Sequence, residues 1–172
     1  MKYRKFYTIA IFGNRFVLNK QRAGEKLYNY LKGRLKDNRV RVLIGTHGDF
    51  DKIAFCVCKR LEKEGFDIDI KLVYTSLRRL IKENPPNEYA PLNYRNDETM
   101  MYEIEEVHFK RQIIVSNQKM IDESDEIVIY HNGRNSYSGI NRVVKYAKKV
   151  NKSIQNLFET NDRIERIIKD ID

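Results

Sequence analysis

The chain has 172 residues and 41% hydrophobic content, the size of one domain with a real core and too short for a second full one. Its basic start, "MKYRKFYTIAIFGNR", leads into too short an apolar run for a secretory core, and no stretch reaches the roughly 18 apolar residues of a spanning helix; a soluble, cytoplasmic protein with no membrane partner is expected. The net charge of +9 is uneven, with 15 Lys and Arg against 4 Asp and Glu in residues 1–60 and 18 against 20 afterwards, a balance that suits phosphates or, more plainly, a solvated helix face.

In chain order, "YTIAIFG" (7–13) reads as a strand closed by glycine, and 18–38 has helical spacing in Leu27, Tyr30, Leu31 and Leu35. "RVRVLIG" (39–45) is a second strand. Behind it "DFDKIAFCVCKRLEKEG" puts Ile53, Ala54, Val57 and Leu61 on one stripe and stops at Gly65. "FDIDIKLVYT" (66–75) alternates as a third strand. Residues 76–106 hold all three prolines and several acids and read as a long loop or lid, whose Tyr89, Tyr94 and Tyr102 either stack on a base or anchor the loop to the body. Helical spacing returns over 108–124 through Phe109, Ile113, Ile114, Asn117, Met120 and Ile121. A short buried strand and turn follow at 125–133, a helix at 138–151 and a last strand at 153–159. Residues 160–172 predict a charged helical tail, where Ile164, Ile167, Ile168 and Ile171 serve either a homo-oligomer face or the edge of the sheet.

Strands separated by helices of this length predict β-α-β units over residues 1–159, an α/β fold with a parallel sheet covered on both faces. Ligands bind such sheets beyond the carboxyl ends of the strands, so the strand-to-helix turns are the functional candidates. Cys56 and Cys58 are two apart in a helix and read as reduced packing residues; His47, His108 and His131 lack metal-ligand spacing, and no metal is expected.

In the first turn, "FGNR", Gly13 allows a sharp bend and Arg15 stands at the rim, where a guanidinium forks onto phosphate. The second, "GTHGDFD", has Gly45 and Gly48 for the bend, then Asp49 and Asp51 in the first helical turn, where carboxylates meet exposed N–H groups and the helix dipole. Two acids make a poor phosphate seat but suit ribose hydroxyls, an exocyclic amine or a catalytic carboxylate. The third, "HNGRNSYSGINR", opens a helix behind Ser136, Ser138 and Gly139 with no acid in its first turn and Arg134 and Arg142 on its flanks. That is an anion site, or an ordinary serine cap.

The ordered set "FGNR", "GTHGDFDKIA", "FKRQIIVSNQKMIDESDEIVIY" and "NSYSGINRVVKYAKK", over roughly residues 6–158, resembles the SLOG superfamily, which includes the DNA-processing protein A fold and the cytokinin-activating phosphoribohydrolases. The resemblance is nearest to small bacterial members of that group. It implies a Rossmann-like three-layer sandwich with a mainly parallel sheet of about five strands, a nucleotide or nucleotide-derived ligand across the strand ends, and frequent self-association. Carried over by position, Gly13 and Arg15 match the first turn, Gly45, Gly48 and Asp51 the second, Lys110, Arg111 and Asn117 the helix, and Ser136, Ser138 and Gly139 the phosphate turn. Arg15, Arg111 and Arg134 would neutralise phosphate charge. Asn14 stands where the small members carry histidine, Ser116 where they carry arginine, and no carboxylate follows Gly139 where the phosphoribohydrolases have a catalytic glutamate.

These departures favour a binding protein, a sensor or sequestering protein for a nucleotide-type small molecule or nucleotide signal, with no cofactor. The alternative is a nucleoside or nucleotide N-glycosidase or glycosyl transferase, with Asp51 as the carboxylate, Asp49, Glu98 or Glu103 next, and His47 as acid–base partner. A third reading, single-stranded DNA binding, draws on the basic first 60 residues but finds no regular interleaving of aromatic and basic residues.

Overall fold

In the computed structural model, the residues described are 5–76, 78, 80, 98–133 and 138–159. The strands β1 (Tyr7–Gly13), β2 (Val40–Ile44), β3 (Ile68–Tyr74), β4 (Thr99–Met101), β5 (Glu126–Tyr130) and β6 (Ser153–Asn156) form one sheet in the order β4-β3-β2-β1-β5-β6, every pair parallel. Four helices are described, α1 (Lys20–Leu35), α2 (Asp49–Lys63), α3 (Phe109–Glu123) and α4 (Gly139–Lys149).

Near-continuous apolar strands belong to sheets buried on both faces, and strand alternation divides them between two cores. Ile9 and Ile11, with Val42, Ile44 and Ile70, meet Leu27 and Leu31 of α1 and Phe50 and Leu61 of α2. Ala10 and Phe12, with Leu43 and Ile129, meet Met120 and Ile121 of α3 and Val143 and Ala147 of α4. The result is a Rossmann-like three-layer α/β sandwich. Each buried Leu or Ile contributes roughly 1.5–3 kcal/mol of apolar transfer, so the two cores dominate the stability.

The helix stops are local. Gly65 adopts φ +89°, its N–H donating to Glu62 O and that of Phe66 to Leu61 O, so α2 ends in a Schellman motif. Asn151, at φ 56°, does the same for α4 through Lys152 N and Ala147 O.

The sheet has one strand more than predicted, and the extra one corrects the reading of residues 99–101 as part of a long loop over 76–106. Thr99, Met100 and Met101 pair with Leu72, Val73 and Tyr74 at the edge of the sheet. Three residues cannot display a two-residue period, so β4 left no pattern in the sequence. Tyr102 behind it is buried, its hydroxyl donating to Glu123 at 3.0 Å, which makes it an anchor to the body. Tyr89, Tyr94 and the tail at 160–172 lie outside the described residues. Among the described residues no helix is long and apolar enough to cross a membrane.

Strands β2, β3 and β4 step away from β1 on one side, and β5 and β6 lie on the other. The order reverses between β1 and β5. Their carboxyl ends therefore leave a gap between turns that diverge to opposite faces, the place where open α/β sheets bind ligands.

Candidate functional site

A crevice of about 570 Å³ opens at that gap. It is lined by the end of β1 and the turn after it (Phe12 to Phe16), the turn after β2 (Gly45, His47, Gly48), the residues after β5 (His131, Asn132), the first turn of α2 (Asp51), the start of α4 (Ser138 to Ile140, and Val143), and Ile113 and Asn117 of α3.

Two turns are held together at backbone range. Asp49 N–H donates to Arg15 O at 2.9 Å, and a Cβ on Gly48 would stand 2.8 Å from Arg15 Cα. Gly48 is therefore required by close approach. On the other side, Asn14 N–H donates to Tyr130 O at 3.1 Å and ties the first turn to β5.

The two aspartates divide their work. Gly48 has no side chain with which to cap α2, so Asp51, three residues on, reaches back: its Oδ2 accepts from Gly48 N–H at 3.1 Å and from His47 N–H at 2.7 Å. Asp49 faces away from the crevice. Its carboxylate accepts from Val17 N–H at 3.2 Å and pairs with Lys20 at 3.2 Å, stitching the β1–α1 turn onto α2. The Val17 hydrogen bond first, and Lys20 second, hold its pKa below the ordinary carboxylate value. Both aspartates are thus structural, and of the two only Asp51 lines the crevice.

The first turn of α4 is different. It has no acidic residue, and its N-cap, Ser138, makes no capping hydrogen bond. Ser138 Oγ is buried and has no hydrogen-bond partner among the described residues. A buried hydroxyl without a partner costs about 1–3 kcal/mol, so it marks a place where a partner is expected. Gly139 beside it has nothing within 4 Å of where a Cβ would be.

Arg15 lines the crevice, is exposed, and has no ion-pair partner among the described residues. Other cations of the basic first half are neutralised: Arg34 by Glu126, Arg39 by Asp67, Arg41 by Asp69 and Arg60 by Glu64, at 2.6–3.0 Å. Part of the charge excess of residues 1–60 is therefore paired.

Most of the predicted site residues meet here: Gly13, Arg15, Gly45, His47, Gly48, Asp51, Asn117, Ser138 and Gly139 all line the crevice. Lys110 and Arg111 do not; they sit on the exposed first turn of α3. Arg134 and Ser136 lie outside the described residues. Glu98, considered as a carboxylate brought in by loop closure, is instead 1% exposed and paired with Lys59 at 2.7 Å, outside the lining. Cys58 packs in the core, where burial pushes its thiol pKa up, whereas Cys56 is exposed in a groove between α1 and α2 and does not pack as expected.

Sequence reasoning did not single out His131 as a site residue. Its ring lies between two amides, with Nδ1 3.2 Å from Asn14 Oδ1 and Nε2 3.0 Å from Asn141 Oδ1, so it joins the β1 turn to the first turn of α4. Its main chain exchanges hydrogen bonds with the Asn156 side chain. The signal was present: His131 directly follows the last residue of β5, the position from which a parallel strand delivers a side chain to its ligand end.

Among the described residues no group of three or more His, Cys, Asp or Glu is placed to hold a metal ion. Compared with models of known protein families and with curated proteins, the chain matches none.

Proposed function

We propose that the protein binds a nucleotide or nucleotide-derived ligand in this crevice, as a sensor or sequestering protein. The Ser138 Oγ, buried at an acid-free helix start in the same crevice as Arg15, both without a partner among the described residues, carries the reading. A phosphate there meets N–H groups of the first turn of α4, the serine hydroxyl, the positive end of the helix dipole and a guanidinium, a set that favours an oxyanion. Gly45, Gly48 and Asp51 then face the sugar hydroxyls.

Asp51 already accepts two backbone N–H groups through Oδ2, and Glu98 is tied to Lys59. Carboxylates so engaged support binding over glycosidic cleavage, which needs a carboxylate turned on the anomeric carbon. The paired arginines weigh against the nucleic-acid reading.

The test is calorimetric titration with nucleoside monophosphates, NAD, ADP-ribose and cyclic nucleotides, with each binder recovered and chromatographed. A ligand bound and recovered intact, and weakened at least tenfold by Ser138→Ala or Arg15→Ala, is expected. Recovery as free base plus sugar phosphate would replace binding with glycosidase chemistry, and affinity indifferent to both substitutions would remove the phosphate seat.

A further inference from the structure

The four large apolar side chains exposed among the described residues come from two segments that flank the crevice. Phe16 (69% exposed) and Leu18 (55%) belong to the turn after β1; Phe109 (69%) and Ile113 (38%) belong to α3. Single exposed apolar residues are ordinary, but four confined to two segments that each contribute to one crevice are not.

Two of the four, Phe16 and Ile113, line the crevice itself. On α3, Phe109, Ile113 and Asn117 follow at intervals of four and so share one face. Ile113 and Asn117 are the whole of what α3 gives to the lining, and neither is charged. The lining thus combines Arg15, Asp51, His131 and Ser138 at the strand ends and helix starts with an uncharged part to which Phe16, Ile113 and Asn117 belong, beside Phe12, Ile140 and Val143.

We infer that this uncharged part seats the planar base of the ligand, the ring lying against Phe16 and Ile113 with the Asn117 amide at its edge. Resting on the nucleotide reading above, it assigns the ligand class more narrowly, to a base-bearing nucleotide and not a bare sugar phosphate. A flat heteroaromatic ring covers the exposed phenyl and aliphatic surfaces at little ordering cost, as stacked bases do on aromatic side chains. A carboxamide offers a donor and an acceptor side by side, the pairing that adenine presents at its amine and N7. Neither an inorganic anion nor a sugar phosphate uses the apolar surface.

Titration of the full chain with three probes, AMP, adenosine and ribose 5-phosphate, separates the two seats. AMP is expected to bind at least about tenfold tighter than ribose 5-phosphate. Phe16→Ala and Ile113→Ala, both at exposed side chains, are each expected to weaken AMP by about 5- to 100-fold while leaving ribose 5-phosphate unchanged. Leu18→Ala, exposed but outside the lining, changes neither. Equal affinity for AMP and ribose 5-phosphate, or equal loss of both in the variants, overturns the base seat and leaves the phosphate seat standing. Adenosine binding as well as AMP, and weakened by Phe16→Ala, overturns the phosphate seat and keeps the base seat. Failure of all three probes to bind removes both.

Discussion

Gly13 decides how closely β1 and α2 approach. It lies outside the left-handed region, so alanine meets no backbone penalty there and its cost is steric. A Cβ would stand 2.3 Å from Phe50 Cγ and Cδ1 and 2.4 Å from Phe50 Cβ, where ordinary contact starts near 3.4 Å. The last distance matters most, because a ring rotates away but a Cβ moves only with its helix. Phe50 is 0% exposed and its ring stacks on Tyr130 with centroids 5.1 Å apart, so the first turn of α2 must retreat by about 1 Å against a filled core. Overpacking costs about 1–3 kcal/mol, and a displaced helix start belongs at the top of that range. A loss of about 3 kcal/mol lowers Tm by roughly 6–12 °C in a chain of this size. Urea unfolding of Gly13→Ala beside two controls makes the test. Gly33, in α1 and with nothing within 4 Å, should gain about 0.5–1 kcal/mol as alanine. Gly139, equally open, should change little. A Gly13→Ala protein within about 0.5 kcal/mol of the parent would refute the argument that α2 is seated on a bare backbone.

Ser138→Ala is expected to leave the urea midpoint unchanged or raise it slightly, because the hydroxyl it removes makes no capping bond, whereas a serine that caps loses about 0.5–2 kcal/mol on the same change; a loss in that range would show that the hydroxyl has a partner. Asp51→Ala strands the N–H groups of His47 and Gly48 and should cost about 2–3 kcal/mol, with faster hydrogen exchange at those two amides; Asp51→Asn, which keeps an acceptor, should cost less. The pKa of Asp49 is lowered on folding, so its charge stabilises the fold above the ordinary carboxylate value, and that contribution is lost as pH falls through the folded pKa. The gap in urea midpoint between the parent and Asp49→Asn should therefore be constant near neutrality and shrink as pH falls below the ordinary carboxylate value, and a gap that widens in acid would contradict the sign.

The alternation of strand and helix was legible because each long element carries its own period: Leu27, Leu31 and Leu35 for α1, Ala54, Val57 and Leu61 for α2. Gly65 was legible as a stop because a left-handed cap admits few other residues. The crevice was legible too, since turns at the carboxyl ends of parallel strands must converge. The direction in which a residue within a turn points was not. Asp49 and Asp51 look alike in "GTHGDFD", yet one looks toward Val17 and Lys20 and the other toward the crevice, a choice made by the docking of two loops far apart in sequence. His131 was not singled out as a site residue for the same reason, its partners Asn14 and Asn141 being 117 and 10 residues away.

Two helices aim their positive ends into one crevice, and the chain treats them oppositely. The charge at the start of α2 is met within its own first turn by Asp51, which also satisfies the amides of His47 and Gly48. Among the described residues the start of α4 is left uncompensated, with a hydroxyl that has no partner and no acid in its first turn. Were both sealed, the crevice would hold no preference for an anion; were both open, an anion would have two competing seats. The asymmetry instead gives the field a direction, and a ligand with one charged end has one favoured orientation in it. On the proposed reading, that orientation leaves the uncharged end of the ligand to Phe16, Ile113 and Asn117, which offer surface and an amide but no charge. Reversing the asymmetry is accordingly more informative than deleting it. Gly139→Asp, at an open position in the first turn of α4, should abolish binding of phosphate-bearing ligands without unfolding the chain, and unchanged affinity in that variant would mean that the end of α4 takes no part in recognition.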